Sequence, residues 1–236
     1  MTVSSQVALV TGGSAGIGRA IVEQLLGQNF DVLSLDRQPG YQPHPRLHTF
    51  EIDLTDRSAT TQLAQELTQR FEITTLVHNA GVIRPALLAD VQLQDLDALV
   101  DLHIGCAIQL VQASLPAMRA ARFGRVVLLS SRAALGVVTR TSYSATKAAM
   151  MGMARTWALE LAADGITVNV VAPGPIRTDM FRAVVPAGSE RERVLAAAIP
   201  VQRLGEGVDV ARLVLIDGVE EGVLGGAAVA VVEVAE

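Results

Sequence analysis

The chain has 236 residues, half of them hydrophobic but only 3% aromatic, with a formal net charge of −5. That length suits one well-filled domain, and the acidic balance argues against nucleic acid or an anionic membrane surface as partner. A single cysteine, Cys106, excludes an intrachain disulfide; no Cys/His cluster has metal-ligand spacing, and no uncharged apolar run reaches the roughly 18 residues of a membrane span.

No basic n-region precedes the first strand-like run, so no signal peptide is read and a cytoplasmic protein is expected. Gln6 to Thr11 is a β-branched apolar run, the pattern of a strand buried on both faces. It leads into Gly12-Gly13-Ser14-Ala15-Gly16-Ile17-Gly18, and from Arg19 to Gln28 the residues Ile21, Val22, Leu25 and Leu26 fall at helical spacing. Strand, glycine turn, helix is the arrangement that aims backbone N–H groups and a helix N-terminus at a phosphate, so a dinucleotide site is expected here. The spacing is Gly-x-x-x-Gly-x-Gly rather than Gly-x-Gly-x-x-Gly. The second strand, Phe30 to Leu35, ends at Asp36, about twenty residues beyond the turn. A carboxylate there can bind the ribose hydroxyls and repel a 2′-phosphate, which points to NAD rather than NADP. Arg37 next door can receive that phosphate if Asp36 turns away, and Asp36 can equally be a solvated turn residue.

A Pro-rich connection, Pro39 to Pro45, precedes a third strand, Leu47 to Ile52, ending at Asp53-Leu54. Asp53 can meet the adenine amino group or cap the helix predicted over Arg57 to Phe71. Strand four, Ile73 to Val77, runs into His78-Asn79-Ala80-Gly81, where small residues leave room for a ligand. A long helical region follows, Leu93 to Ala121, with a bend expected near Pro116. His103 sits among its apolar positions, where a histidine is ordinarily a satisfied core residue. Strand five, Arg125 to Leu129, ends in Ser130-Ser131, hydroxyls that can hold a substrate oxygen or cap a turn.

Next comes Tyr143-Ser144-Ala145-Thr146-Lys147, at the start of an Ala-rich helical segment. Residues four apart share a helix face, so the phenol and the ammonium can approach one volume. A cation there would lower the tyrosine pKa and suit it to proton transfer with an alcohol or ketone. Taken alone, the pair is equally an ordinary helix surface. Strand six, Ile166 to Val171, leads into Pro173-Gly174-Pro175-Ile176-Arg177-Thr178; residues 179–200 form a candidate lid, and a helix near Val208 to Ile216 and a strand, Ala227 to Val234, close the chain. Strands alternating with helices, with every ligand-like feature at a strand's carboxyl end, predict a doubly wound parallel sheet, a three-layer α/β/α Rossmann fold in one domain.

Thr11 to Gly18, Asn79-Ala80-Gly81, Ser130-Ser131, Tyr143 to Lys147 and Pro173-Gly174 together resemble the short-chain dehydrogenase/reductase family, in its order and at near-family spacing over essentially the whole chain. The resemblance implies that Tyr143 is the general acid/base, that Lys147 lowers its pKa and holds the nicotinamide ribose, and that Ser131, with Ser130 as alternate, binds the substrate oxygen. It places Ile176 and Thr178 against the carboxamide and phosphate. The candidate cofactor set is Gly12, Ser14, Gly16, Ile17, Gly18, Asp36, Arg37, Asp53, Leu54, Asn79, Ala80, Gly81, Tyr143, Lys147, Pro173, Gly174, Ile176 and Thr178, with no metal. Three departures stand out. His103 replaces an asparagine whose backbone holds a relay water in the family, His78 replaces an asparagine that supports the strand, and Val229 to Glu236 lacks the usual Asp-Gly-Gly. The expected activity is hydride transfer between NAD and a mainly hydrophobic secondary alcohol or ketone. The rivals are an NADP-preferring ketone reductase and a non-catalytic dinucleotide sensor. A homotetramer or homodimer is expected, assembled through the long helices.

Overall fold

The computed structural model describes residues 6–38, 40, 43–215 and 231–234. Seven parallel strands form one sheet in the order β3-β2-β1-β4-β5-β6-β7. They are β1 (Val7–Thr11), β2 (Asp31–Asp36), β3 (Leu47–Glu51), β4 (Ile73–His78), β5 (Gly124–Leu129), β6 (Ile166–Pro173) and β7 (Val231–Val234). The helices are α1 (Gly16–Gly27), α2 (Arg57–Arg70), α3 (Leu93–Val100), α4 (Cys106–Ala121), α5 (Thr141–Leu161), α6 (Asp179–Arg182), α7 (Glu190–Ala197) and α8 (Gly207–Leu213). The stretches 216–230 and 235–236, which hold much of the carboxyl-terminal departure, lie outside the described residues, as do Pro39, Tyr41 and Gln42.

Buried β-branched and leucine side chains on both faces explain why the strands read as continuous apolar runs. Along β1, Val7 and Leu9 face one layer with Leu67, Leu110, Met150 and Ala154, drawn from α2, α4 and α5. Ala8 and Val10 face the other with Ile21, Val22, Val210 and Ala211, drawn from α1 and α8. The period-2 alternation of the strand is thus divided between two helical layers. The Rossmann expectation holds, and the sequential order reverses between β1 and β4, the place where such sheets open a ligand crevice.

The long helix departs from its predicted form. It does not break at Pro116, which is carried inside α4; instead a π-turn, Asp101–Gly105, joins α3 to α4. The run Leu93–Ala121 is long and apolar enough to cross a membrane, yet α4 spends that apolarity on packing against α2, β4 and β5.

Candidate functional site

At the switch point a cleft of about 340 Å³ opens between the carboxyl ends of β1 and β4. Gly12, Gly16 and Ile17 border it from the glycine turn, Asp36 and Arg37 from the end of β2, Asp53 and Leu54 after β3, and Asn79, Ala80 and Gly81 after β4. Tyr143, Lys147, Pro173 and Thr178 line the remainder. Gly12 and Gly16 take φ of +68° and +54°, the left-handed backbone that glycine adopts without strain. Helix α1 begins at Ala15, which supplies no side-chain cap, and its first turn has no acidic residue. Its leading N–H groups are therefore left for an anion.

Five predicted residues do not border this cleft. Ser14 donates its N–H to Asp36 (3.0 Å) and its hydroxyl to the Gln38 carbonyl, tying the turn to the end of β2. Gly18 is a packing position, because a Cβ there would stand 1.9 Å from the Gly12 carbonyl oxygen. Ile176 buries its side chain in the α1/α8 layer. Gly174 and Ser131 also stand outside the lining. Asp53, left between adenine and a cap, accepts from the N–H and hydroxyl of Thr55, bonds that hold its carboxyl below the usual range. The cap of α2 is Asp56.

The two serines divide their work. Ser130 borders the cleft, but its hydroxyl donates to the Lys147 carbonyl at 2.7 Å, fastening α5 to β5. Ser131 accepts from the Ala133 N–H and hydrogen-bonds the Tyr143 phenol. Lys147 is buried and donates to the Leu129 carbonyl at 2.6 Å; burial brings its pKa down to about 7. The Lys147 Nζ lies 5.7 Å from the Tyr143 ring centroid.

Here a correction is needed. The expectation that Lys147 lowers the Tyr143 pKa does not hold in this arrangement. Burial pushes the phenol up, opposed first by the Ser131 hydrogen bond and then by the charge of Arg140. Arg140, one turn before Tyr143, is a residue that sequence reading missed, although its i, i+3 spacing was visible. Its own pKa is lowered by burial and by the nearby Arg191 of α7.

His78 is fully buried, and its Nδ1 pairs with the Thr11 hydroxyl at 3.0 Å. Standing where the family has an asparagine that supports the strand, it ties the carboxyl ends of β1 and β4 together. Asn79 donates its side-chain N–H groups to the Thr11 and Gly12 carbonyls, fixing the glycine turn to β4.

A family model described as short chain dehydrogenase matches residues 6–188. A 3-oxoacyl-[acyl-carrier-protein] reductase of Thermotoga maritima is 32% identical over 231 residues, covering 91% of each chain. Among solved structures, a 3-oxoacyl (acyl-carrier-protein) reductase from Agrobacterium tumefaciens C58 with NADP bound superposes with a TM-score of 0.80 at 29% identity, over 90% of this chain and 87% of that one. A blue fluorescent protein from a metagenomic library in complex with NADPH gives 0.79 at 30% identity, over 97% of this chain and 100% of that one. These NADP and NADPH complexes overturn the expectation of NAD. Locally, the Asp36 carboxylate is anchored to the loop, its Oδ2 accepting from the Ser14 N–H and its Oδ1 from the Gln38 N–H at 3.1 Å, so it is partly satisfied before any ribose arrives. The carboxylate on which NAD rested is held by the loop, and exposed Arg37 is left beside it at the cleft.

Proposed function

The chain belongs to the short chain dehydrogenase family, and on that premise we propose that it is an NADPH-dependent reductase of a ketone. The observation that carries this reading is the half-buried phenol of Tyr143, which lines the cleft with Lys147 and whose desolvation favours the protonated form. A phenol whose pKa is raised is fully protonated at neutral pH, the form that gives a proton to a carbonyl oxygen. NADPH supplies the hydride. The donor set suits such a cofactor: uncapped α1 N–H groups for the pyrophosphate, Arg37 for the 2′-phosphate and Lys147 for the nicotinamide ribose. Ser131 and Tyr143 then orient the ketone oxygen, and Tyr143 transfers its proton as charge develops there.

The acyl-carrier-protein reductases among the relatives place 3-oxoacyl thioesters first among ketones to test. An apolar substrate body is supported by the exposed side chains of Leu87, Leu88, Leu135, Val137 and Val138, on two loops joined by a bridge between Ala86 and Arg140. The protein is read as one NADP-binding domain with residues 179–200 as its substrate lid. Homo-oligomerisation is supported by the small, exposed outer face of α5, which carries Ala145, Ala148, Ala149, Gly152 and Leu159. The test is NADPH oxidation with 3-oxoacyl thioesters and simple ketones, with Tyr143→Phe as control. Turnover lost in that variant supports the reading; turnover surviving in it refutes the mechanism.

A further inference from the structure

His103 is wholly buried, and its Nε2 has no hydrogen-bond partner among the described residues. Proton accounting through its neighbours shows what that nitrogen is. The Thr11 hydroxyl already accepts from the Asn79 and Ala80 N–H groups, so its own proton goes to His78 Nδ1. His78 therefore carries its proton on Nε2, a buried donor near the backbone of Leu102 and His103 that has no hydrogen-bond partner among the described residues. On the other side, the Thr146 hydroxyl donates to the Ser142 and Tyr143 carbonyls, so it accepts from His103 Nδ1–H at 2.8 Å. Assigned in this way, the tautomer leaves His103 Nε2 as a bare lone pair.

That lone pair lies near a cation, Lys147. A Cβ built on Gly81 would stand 3.0 Å from His103 Nε2 and 3.5 Å from Lys147 Nζ, so the two nitrogens converge on one glycine backbone. Edge-to-face contact with the Tyr143 ring, at 5.7 Å between centroids, fixes the imidazole plane. The titratable groups around Lys147 are His103 from the π-turn, His78 from β4 and Tyr143 from α5; among the described residues no carboxylate pairs with it.

We propose that His103 is a positioning residue whose Nε2 accepts from the Lys147 ammonium through one bridging water and holds it charged and oriented. The inference rests on the reading of Lys147 as the cofactor-holding ammonium. An acceptor facing the charged form raises its pKa, opposing the burial that lowers it.

The test titrates Lys147 Nζ by nitrogen-15 NMR in wild type, His103→Phe, His103→Gln and Gly81→Ala, alongside the pH profile of NADPH-dependent turnover. In His103→Phe the Nζ midpoint is expected to fall by about one unit. The pH at which kcat declines should fall with it, giving about a tenfold loss above both midpoints, with the ketone KM unchanged. The glutamine amide reaches the Nε2 position and is expected to restore most of the shift. Gly81→Ala keeps the imidazole but places a methyl within 3.0 Å of His103 Nε2 and 3.5 Å of Lys147 Nζ, where the bridging water would sit, so it should reproduce the shift without a core cavity. An unmoved midpoint in His103→Phe and Gly81→Ala, or His103→Gln as impaired as His103→Phe, overturns the proposal. A wild type that reduces no ketone defeats the reductase reading, while the Nζ titration still decides this one.

Discussion

Arg37→Ala separates the two cofactors. In the fold, Arg37 is an exposed guanidinium at the end of β2, and the neighbouring Asp36 carboxylate is bound by the Ser14 and Gln38 N–H groups. A hydrogen bond between charged groups contributes about 1.5–3 kcal/mol. Exposure and salt screening place this one at the low end, so losing it should weaken NADPH binding by about tenfold. Arg37 also sits close enough to Asp53 to stabilise its carboxylate, so the substitution leaves that charge facing the phosphate uncompensated, an effect of the same sign. NADH carries no 2′-phosphate and should bind Arg37→Ala and wild type within about twofold. The assay is a fluorescence titration of both cofactors at two ionic strengths. The NADPH advantage of the wild type should shrink as the Debye length falls from about 10 Å at 0.1 M to about 3 Å at 1 M. Equal weakening of NADH and NADPH would refute the reasoning, because Arg37 would then be supporting the loop rather than reading the phosphate.

The serine pair gives a sharper contrast. Ser131→Ala should lower kcat by about 10²-fold with little change in melting temperature, whereas Ser130→Ala removes a buried bond to α5 worth about 1 kcal/mol and should lower the melting temperature by about 2–4 °C while turnover persists. Arg140→Gln removes a cation that favours the phenolate, so the rise of the reverse, alcohol-oxidising reaction with pH should move about half a unit upward; an unmoved profile removes Arg140 from the site. His78, whose pKa falls to about 3, and His103, also depressed, are buried neutral and titrate near 6.5 only when unfolded. Between those values the unfolded chain binds more protons, so stability is full above about pH 6.5 and falls on acidification by up to about 1.4 kcal/mol per pH unit for each histidine. Urea melts from pH 7.5 to 4.5 check this, and His78→Asn should flatten the slope.

The sheet was legible because period-2 burial, glycine punctuation and helix spacing are local signals that agree along the chain. β1, the glycine turn and α1 fell within a few residues of where Val7, Gly16 and Leu25 suggested. The bend of the long helix was not legible. Proline marks a helix locally, yet Pro116 is accommodated inside α4, while the π-turn at Asp101–Gly105 is tied to α5 through His103 and Thr146. The burial of the Ile176 side chain is tertiary in the same way: the motif marks the position, but only the packing of α1 and α8 shows that the side chain turns inward.

Charge was the harder reading. The Tyr143–Lys147 spacing shows that two groups share a face, but the sign of the pKa shift depends on burial, which spacing does not carry. Burial pushes the phenol up and the ammonium down, and the cation acting on the phenol arrives from the preceding turn. Asp36 teaches the same point. Its position at the end of β2 is local information, whereas the occupation of both its oxygens by Ser14 and Gln38 is tertiary. An acidic residue after the second strand therefore does not by itself establish NAD, because the loop can engage its carboxylate and a neighbouring cation can offer a site for the 2′-phosphate.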